Sequence, residues 1–275
     1  MDTNAVPVLD GFSWVKREER EVIGSLIEKG AIFFVSHSGG KDSQAMYALI
    51  LGLVPHDQIC VVHADLGEVE WHGVQDHIRA TIVHDLHVVR AGKTFFDMVM
   101  HRHRTRPGVA PWPSSATRQC TSDLKRGPIQ KIIRSEMKSR GILLGVNCTG
   151  LRGEESASRA KKQTFKVNDA LSAAGRQVWD WLPIHAMTTQ EVFTTIANFG
   201  QEPHPAYKRN RRLSCVFCIM GCGNDLLHGA EMRPELYARY LEIEALTGYT
   251  MFNGFSLAQK VEAARAARDL LLAAA

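Results

Sequence analysis

The fold of this chain is decided by the stretch FVSHSGGKDS, residues 34–43. It begins inside a short apolar run, 31–36, that predicts a β-strand, and it leads into a predicted helix over 42–51. Two glycines, Gly39 and Gly40, lie where the strand gives way to the helix. Glycine allows close backbone approach, and amide N–H groups at a helix N-terminus attract phosphate. The stretch therefore predicts a phosphate-binding loop after a strand.

The polar side chains of this loop suit the same ligand. Ser38 and Ser43 can donate hydroxyl hydrogen bonds, and Lys41 supplies a positive charge. The loop does not have the spacing of a Walker A motif, and Asp42 stands where that motif has Ser or Thr. A tight turn that binds no ligand is the alternative interpretation of the same residues.

Strands alternate with helices along the rest of the chain. Further strands are predicted at 59–63, 87–90 and 142–149, and residues 179–184 are predicted to form an edge strand or an extended run. Helices are predicted at 11–29, 74–85, 94–103, 122–139, 188–199, 232–247 and 256–275. The pattern predicts an α/β fold: a doubly wound, mainly parallel sheet with helices on both faces and a small Cys-containing C-terminal helical part. We expect a nucleotide-binding α/β domain over 1–200, with the Cys loop and terminal helices in 201–275.

Composition excludes two classes of protein. The 275 residues are 45% hydrophobic and 23% charged, so the chain can form a core and is not predicted to be disordered. No 18-residue apolar run predicts a membrane span. Residues 1–10 lack a basic region followed by an apolar stretch, so we expect no signal peptide and a cytoplasmic location.

Positive charge is concentrated in three stretches. The net charge is +4, yet 101–140 carries ten Lys or Arg against two Asp or Glu. Residues 152–176 and 208–212 are also basic. Such concentration predicts an anionic partner, a nucleotide or a nucleic acid. Solvated helix faces are the alternative.

Three of the six cysteines, Cys215, Cys218 and Cys222, fall within eight residues. Thiols at this spacing are typical of a zinc or iron–sulfur centre, which needs a fourth ligand to close. Cys60 and Cys148 fall in apolar β-type runs and are predicted core residues rather than ligands.

The run SGGKDS, residues 38–43, resembles the pyrophosphate loop of the adenine nucleotide alpha-hydrolase superfamily. That superfamily of PP-loop proteins includes ATP pyrophosphatases and the phosphoadenosine phosphosulfate (PAPS) reductases. The resemblance implies that ATP binds with Mg²⁺ and is cleaved between its α and β phosphates. It assigns catalysis to Lys41, Asp42, Ser43 and Arg152.

Two later segments resemble the PAPS reductase branch. HADLGE at 63–68 is similar to its D-T-G-x-E segment, near the base and ribose, and TGLRGEESASR at 149–159 to its G-x-R-x-x-E-S-x-x-R segment, whose arginines contact phosphate. The nucleotide-binding residues implied are Ser36, Ser38, Gly39, Gly40, Lys41, Asp42, Ser43, His63, Asp65, Gly150, Arg152, Glu155 and Arg159.

The resemblance to the PAPS reductase branch also implies which cysteine provides the fourth thiol. Related reductases carry a Cys pair where this chain has Cys120 and Thr121, and Cys222 could make up the deficit. The resemblance thus implies that Cys120, Cys215, Cys218 and Cys222 hold a [4Fe–4S] cluster, with zinc as the alternative.

The activity implied by the resemblance is sulfur insertion. Residues 253–275 contain no cysteine, whereas PAPS reductases carry a nucleophilic one in a C-terminal E-C-G-x-H motif. The chain is therefore most similar to the DNA phosphorothioation sulfurtransferases, in which ATP adenylates an acceptor, here DNA, and sulfur from a cysteine desulfurase displaces AMP. The alternatives are a PAPS or APS reductase-type enzyme, a tRNA thiolase and a non-catalytic nucleotide-sensing module.

Overall fold

A computed structural model of the chain describes residues 15–273. The first helix, α1, spans Arg17–Glu28 and buries Ile23, Leu26 and Ile27. The start of the predicted helix at 11–14, Phe12 included, and the 1–10 segment lie outside the described residues.

The described chain forms one six-stranded sheet in the order β3-β2-β1-β4-β6-β5. The pairs β1–β2, β1–β4 and β4–β6 are parallel, and β5 pairs antiparallel with β6. The α/β class and the mainly parallel sheet are therefore confirmed. The strands span Ile32–Ser36 (β1), Ile59–Asp65 (β2), Leu86–Arg90 (β3), Leu144–Thr149 (β4), Phe165–Val167 (β5) and Gln177–Trp181 (β6).

The remaining helices follow the strands much as the hydrophobic spacing predicts. They span Lys41–Leu51 (α2), Val74–Thr81 (α3), Phe95–Thr105 (α4), Gln119–Thr121 (α5), Gly127–Ser139 (α6), Ala157–Ala160 (α7), Thr189–Asn198 (α8), Gly223–Met232 (α9), Pro234–Thr247 (α10) and Leu257–Ala273 (α11). Among the described residues, no helix combines the length and apolar character needed to cross a bilayer.

Several elements differ from the sequence-based expectation. The strand predicted at 179–184 is present as β6, but its predicted edge position is wrong, because β5 pairs with the outer side of β6 and forms the edge of the sheet. β6 also stops at Trp181, two residues before Pro183. Residues 122–126, expected to be α-helical, form a π-helical segment ahead of α6. Helix α9 was not predicted, because it follows the cysteine loop and starts at a glycine.

The described chain divides into two compact units that are discontinuous in sequence. The first comprises 15–63, Gln75–Val89 and Ile129–Pro203, and the second comprises Ala64–Val74, Arg90–Pro128 and 204–273. The first therefore contains nearly all of the sheet and the glycine loop. The division predicted at residue 200 stays a prediction.

The core of the first unit lies between the sheet and α6. Apolar side chains of β1, β2 and β6 pack against Ile133 and Met137 of α6. Cys60 is 2% exposed within this cluster and Cys148 is fully buried in β4, as expected for core thiols. This packing fixes the ends of the parallel strands, where ligands of α/β proteins bind.

The second unit is built around an aromatic cluster. Tyr240 of α10 is fully buried and contacts the rings of Phe95, Phe96, Trp112 and Phe217. These rings come from sequence positions far apart, so the cluster joins the separate segments of the unit. Arg233 adds a polar link, because its guanidinium donates to the carbonyls of Glu68 and Glu70.

Candidate functional site

The glycine loop is a compact turn between β1 and α2. Gly39 has φ +74°, a left-handed conformation that favours glycine. The Ser38 backbone N–H donates to Ser43 Oγ at 3.1 Å, and Ser43 Oγ donates to the Gly40 carbonyl at 2.8 Å. The loop therefore takes its shape from its own side chains, and α2 begins directly behind it at Lys41.

Charged side chains at the start of α2 form a buried chain of ion pairs. Lys41 is 5% exposed, and its Nζ donates to Asp42 Oδ2 at 2.9 Å. Asp42 Oδ1 accepts from Arg152 Nε at 2.6 Å. Asp42 thus holds two cations side by side at a helix N-terminus, where negative charge is favoured.

Arg152 ties three elements together rather than reaching into solvent. It is 2% exposed and donates to the Met187 carbonyl at 3.2 Å and to Thr189 Oγ1 at 3.1 Å. It also pairs with Glu154, whose carboxylate accepts from the Thr189 N–H at 2.8 Å. The guanidinium therefore fastens the segment after β4 to α2 and α8. Its predicted contact with phosphate stays a prediction.

Gly150 is required because the backbone after β4 passes close to the start of α2. A Cβ at this position would lie 3.0 Å from the backbone C and O of Asp42 and 3.2 Å from the Ser43 nitrogen. The segment after β4 can therefore reach the start of α2 only with glycine here. The structure thus places Gly150 against the predicted loop residues.

Two buried histidines, His37 and His63, lie next to the glycine loop. His37 Nδ1 accepts from the Gly39 N–H at 3.1 Å, and His63 Nδ1 lies 2.9 Å from the His37 carbonyl. Burial, followed by the nearby His63 and His77, lowers the pKa of His37 to about 3. His37 is therefore neutral, with its proton on Nε2, which is buried and has no hydrogen-bond partner in the described structure.

The two remaining residues of the predicted arginine segment pair with each other. Arg159 donates to Glu155, and the Glu155 carboxylate also lies 3.4 Å from the Arg152 backbone nitrogen. Both belong to the first unit, together with the glycine loop, Gly150 and Arg152. Glu155 is thus oriented by two partners.

Asp65 belongs to the second unit and is largely buried. Its Oδ1 accepts from the Gly67 N–H at 2.7 Å, and its Oδ2 accepts from Arg90 Nε at 3.2 Å. The carboxylate therefore shapes the turn after β2. Its predicted place beside the base and ribose stays a prediction.

Three of the four predicted thiols meet in the second unit. Cys120 comes from α5, and Cys215 and Cys218 come from the loop before α9. Burial and the neighbouring thiols raise the pKa of Cys215 and of Cys120, while Lys125 opposes this in both. Since these groups affect each other's ionisation, they form one electrostatic cluster, which we call the thiol cluster.

Cys222 has a different environment. It is the N-cap of α9, where its sulfur accepts from the Asp225 N–H and its own N–H donates to Asp225 Oδ2 at 3.3 Å. Asp225 also accepts from the Arg211 N–H at 2.9 Å, which anchors the loop. The predicted role of Cys222 as fourth ligand therefore stays a prediction.

Two residues beside the thiol cluster were not predicted. Burial lowers the pKa of Lys125, but the neighbouring Cys215, Cys218, Glu70 and Cys120 together raise it by more, so the pKa of this ammonium lies above its usual value. The Tyr240 hydroxyl is buried without a hydrogen-bond partner in the described structure, and the thiols raise the pKa of this phenol. The sequence signal that could have found Lys125 is its position five residues after the predicted ligand Cys120.

The donor set is compatible with the metal centre that the resemblance implies. Because the pKa values of Cys215 and Cys120 are raised, these thiols need a nearby cation to ionise, and a bound metal supplies one. Lys125 and the Tyr240 hydroxyl add a positive charge and a free donor for the sulfurs of such a centre. Cys120, Cys215 and Cys218 would hold it, with Cys222 as the nearest further thiol in sequence.

The chain is similar to two known proteins. The chain is 24% identical over 226 residues to an uncharacterized protein of Methanocaldococcus jannaschii, covering 78% of this chain and 48% of that protein. The chain thus spans about half the length of this curated relative. A crystal structure of phosphoadenylyl-sulfate (PAPS) reductase from Candida auris, a phosphate complex, is similar with TM-score 0.45 and 14% identity, covering 76% of this chain and 92% of that one.

A family profile gives the assignment. Residues 32–224 match the phosphoadenosine phosphosulfate reductase domain, a span that runs from β1 through the glycine loop to the start of α9. This span includes every residue singled out above as a candidate ligand of nucleotide or metal. The chain therefore belongs to the phosphoadenosine phosphosulfate reductase domain family.

Proposed function

We propose that this protein is a PP-loop ATP pyrophosphatase that adenylates an acceptor, DNA, so that sulfur can be inserted. The observation that carries the proposal is the closed loop at 38–43, with Lys41 and Asp42 at the N-terminus of α2. Family membership supports a nucleotide-using enzyme. The phosphorothioation branch rests on the sequence resemblance.

The first half of the reaction is argued from the first unit. The β,γ-pyrophosphate of ATP would bind against the loop amides, as anions bind at helix N-termini. The neutral His37 beneath the loop adds no positive charge, so Lys41 is the cation that the loop itself presents. Mg²⁺, when bound, would neutralise phosphate oxygens in the usual way of phosphoryl-transfer enzymes.

Bond making and breaking at the α-phosphorus then follow. An oxygen of the acceptor forms a bond to the α-phosphorus, and the bond from that phosphorus to the α,β-bridging oxygen breaks. The electron pair leaves with pyrophosphate, where Lys41 and the loop amides stabilise the charge that develops. The acceptor is left as an adenylate, with AMP as its leaving group.

Arg152 positions the charged side chains at the start of α2. Its guanidinium holds Asp42, and Asp42 in turn holds Lys41 at 2.9 Å. A positioned lysine loses less entropy when it meets the departing phosphate. We therefore infer a positioning role for Arg152, in addition to the phosphate contact that the resemblance implies.

The second half concerns the thiol cluster of the second unit. A [4Fe–4S] group, when bound there, would supply sulfur-handling chemistry. The choice of a cluster over zinc rests on the family resemblance, because the spacing of the cysteines along the chain suits either centre.

A sulfonucleotide enzyme of the PAPS reductase type is the second candidate, because the family match covers that activity class. The two candidates differ in substrate. The first cleaves ATP to AMP and pyrophosphate, and the second reduces a sulfonucleotide and releases sulfite without cleaving ATP. Sulfite release from PAPS or APS by the reduced protein, with no pyrophosphate from ATP, would favour the second.

The test is pyrophosphate release from ATP and Mg²⁺ by anaerobically purified protein, with and without DNA, a cysteine desulfurase and cysteine. We expect release by the wild type and its loss in Lys41→Ala. The matched control is Lys29→Ala, because Lys29 is an exposed lysine outside the basic stretches. Absence of release in every combination, or equal release by Lys41→Ala, contradicts the proposal. Iron and acid-labile sulfide analysis of the same preparation separates a cluster from zinc.

A further inference from the structure

A second group of ligand-type side chains lies in the first unit, away from the glycine loop. The ligand atoms of Cys60, His87 and Glu136 all lie within 4.8 Å of one another. His87 Nδ1 is 3.8 Å from Glu136 Oε1. We propose that these three side chains bind a single transition-metal ion of the zinc type.

The three residues converge because of the fold. Cys60 is the second residue of β2 and His87 the second residue of β3, and Glu136 lies in the last turns of α6. The thiol belongs to the apolar cluster that α6 covers through Ile133 and Met137. The group therefore lies near the amino ends of its strands, whereas the glycine loop follows the carboxyl end of β1.

The chemistry of the donors selects the metal. A thiolate, an imidazole and a carboxylate are the three ligand types of zinc, with bonds of about 2.0 to 2.3 Å. A sulfur donor disfavours Mg²⁺ and Ca²⁺, which take oxygen ligands. Three protein ligands leave a fourth tetrahedral position for water.

The carboxylate is already oriented for this role. Arg140 Nε and Nη2 both lie 3.1 Å from Glu136 Oε2, which leaves Oε1 directed to His87. Such outer hydrogen bonds are the usual means by which proteins orient metal ligands. The side chains of His87 and Glu136 are 30% and 19% exposed, so two of the three ligands are open to solvent.

A nucleophilic Cys–His–Glu triad is the competing explanation, and the surroundings of Cys60 argue against it. Reactive thiols are partly exposed and sit in positive surroundings. Cys60 is instead 2% exposed, so its sulfur is too buried to attack a substrate, whereas a single ion needs little room.

The test is titration of metal-free, reduced protein with Co²⁺, read as thiolate-to-cobalt charge-transfer absorption and as bound equivalents. We expect His87→Gln and Cys60→Ala each to bind one equivalent less than the wild type, and Zn²⁺ to displace the cobalt. The matched control is Cys148→Ala, a buried strand thiol of the same unit outside the group, which should keep every equivalent.

The thiol cluster is present in all of these variants, so it contributes equally and cancels in the comparison. Should Cys60→Ala misfold, His87→Gln and Glu136→Gln decide the matter, because both side chains are partly exposed. Equal equivalents and equal absorption in the wild type, His87→Gln and Glu136→Gln would overturn the proposal. None of these readouts depends on ATP cleavage.

Discussion

At Gly150 the backbone after β4 passes too close to the start of α2 to leave room for a side chain. Gly150→Ala would place a methyl group 3.0 Å from the Asp42 carbonyl carbon, and neither backbone can rotate away as a side chain could. We expect the substitution to cost about 1–3 kcal/mol of unfolding free energy, the usual range for overpacking. Urea denaturation measures the loss.

A matched control for this variant is Gly92→Ala, because a Cβ at Gly92 meets no atom within 4 Å. Pyrophosphate release should fall in Gly150→Ala but not in Gly92→Ala, since only the first displaces the start of α2. A Gly150→Ala protein with wild-type stability and wild-type release would show that the close approach is unimportant.

The Tyr240 hydroxyl is the second residue-scale feature that can be tested. Removing a buried hydroxyl without a partner costs little, so Tyr240→Phe should fold with unchanged or higher stability. A hydrogen bond to cluster sulfur raises the reduction potential of an iron–sulfur centre. We therefore expect a lower potential in the reconstituted variant, measured by redox titration. An unchanged potential would mean that the hydroxyl does not reach the centre.

At the scale of elements, α8 shows how local sequence and site are connected. Thr188 is its N-cap: Thr188 Oγ1 accepts from the Glu191 N–H at 3.2 Å, and Glu191 accepts from the Thr188 N–H at 2.6 Å. The next residue, Thr189, accepts from Arg152 and so joins α8 to the ion pairs at α2.

Loss of this cap should therefore affect both stability and the site. Thr188→Ala should lower the unfolding free energy by about 1 kcal/mol, the usual value of an N-cap, while Thr188→Ser should retain most of it. Thermal denaturation of the two variants gives the comparison. Equal destabilisation by Ala and Ser would assign the effect to the lost methyl group instead of the cap.

The elements also show what the sequence could and could not predict. The apolar runs of β1 and β4 are local signals, and the structure confirms both strands. β5 was missed because its three residues carry a lysine and only form a strand by pairing with β6. The π-helical segment at 122–126 was missed because hydrophobic spacing does not distinguish it from an α-helix.

The site was predictable to a similar degree. The glycine loop is continuous in sequence, so its residues could be found from the motif alone. The pairing of Arg152 with Asp42 spans 110 positions, and the electrostatic influence of the thiol cluster on Tyr240 depends on the packing of α10. Such long-range contacts leave no periodic signal in a single sequence.

At the scale of the whole molecule, acid should destabilise the fold through His37. The pKa of this ring falls from its ordinary value of 6.5 to about 3, because burial and two other histidines disfavour the charge. Between these values the unfolded chain binds a proton that the folded protein does not. Stability is therefore complete above pH 6.5 and declines toward pH 3, by up to about 1.4 kcal/mol per pH unit for this group.

The measurement is the unfolding free energy of the wild type and His37→Asn from pH 7 down to the lowest pH at which both fold. Asn can still accept from the Gly39 N–H but binds no proton in this range, so its decline should be shallower. His56→Asn is the matched control, because His56 is exposed. Parallel curves for the wild type and His37→Asn would show that His37 does not carry the acid sensitivity.

Part of the positive charge in the basic stretches is neutralised by carboxylates of the same chain. Arg140, Arg152, Arg159 and Arg209, all from the basic stretches, pair with carboxylates of the chain. The charge left over for an external polyanion is therefore smaller than the sequence implies. ATP, which needs only the loop and its lysine, remains the proposed nucleotide, with DNA as the proposed acceptor.

The position of the bond that is cleaved in ATP tests the central proposal most directly. Chromatography of the products formed from ATP and Mg²⁺, with DNA and a sulfur donor present, distinguishes cleavage after the α-phosphate from cleavage after the β-phosphate. The PP-loop assignment predicts pyrophosphate together with adenylate, found as AMP or as the adenylated acceptor, and no ADP. Formation of ADP and inorganic phosphate, or no turnover of ATP under any of these conditions, would contradict it.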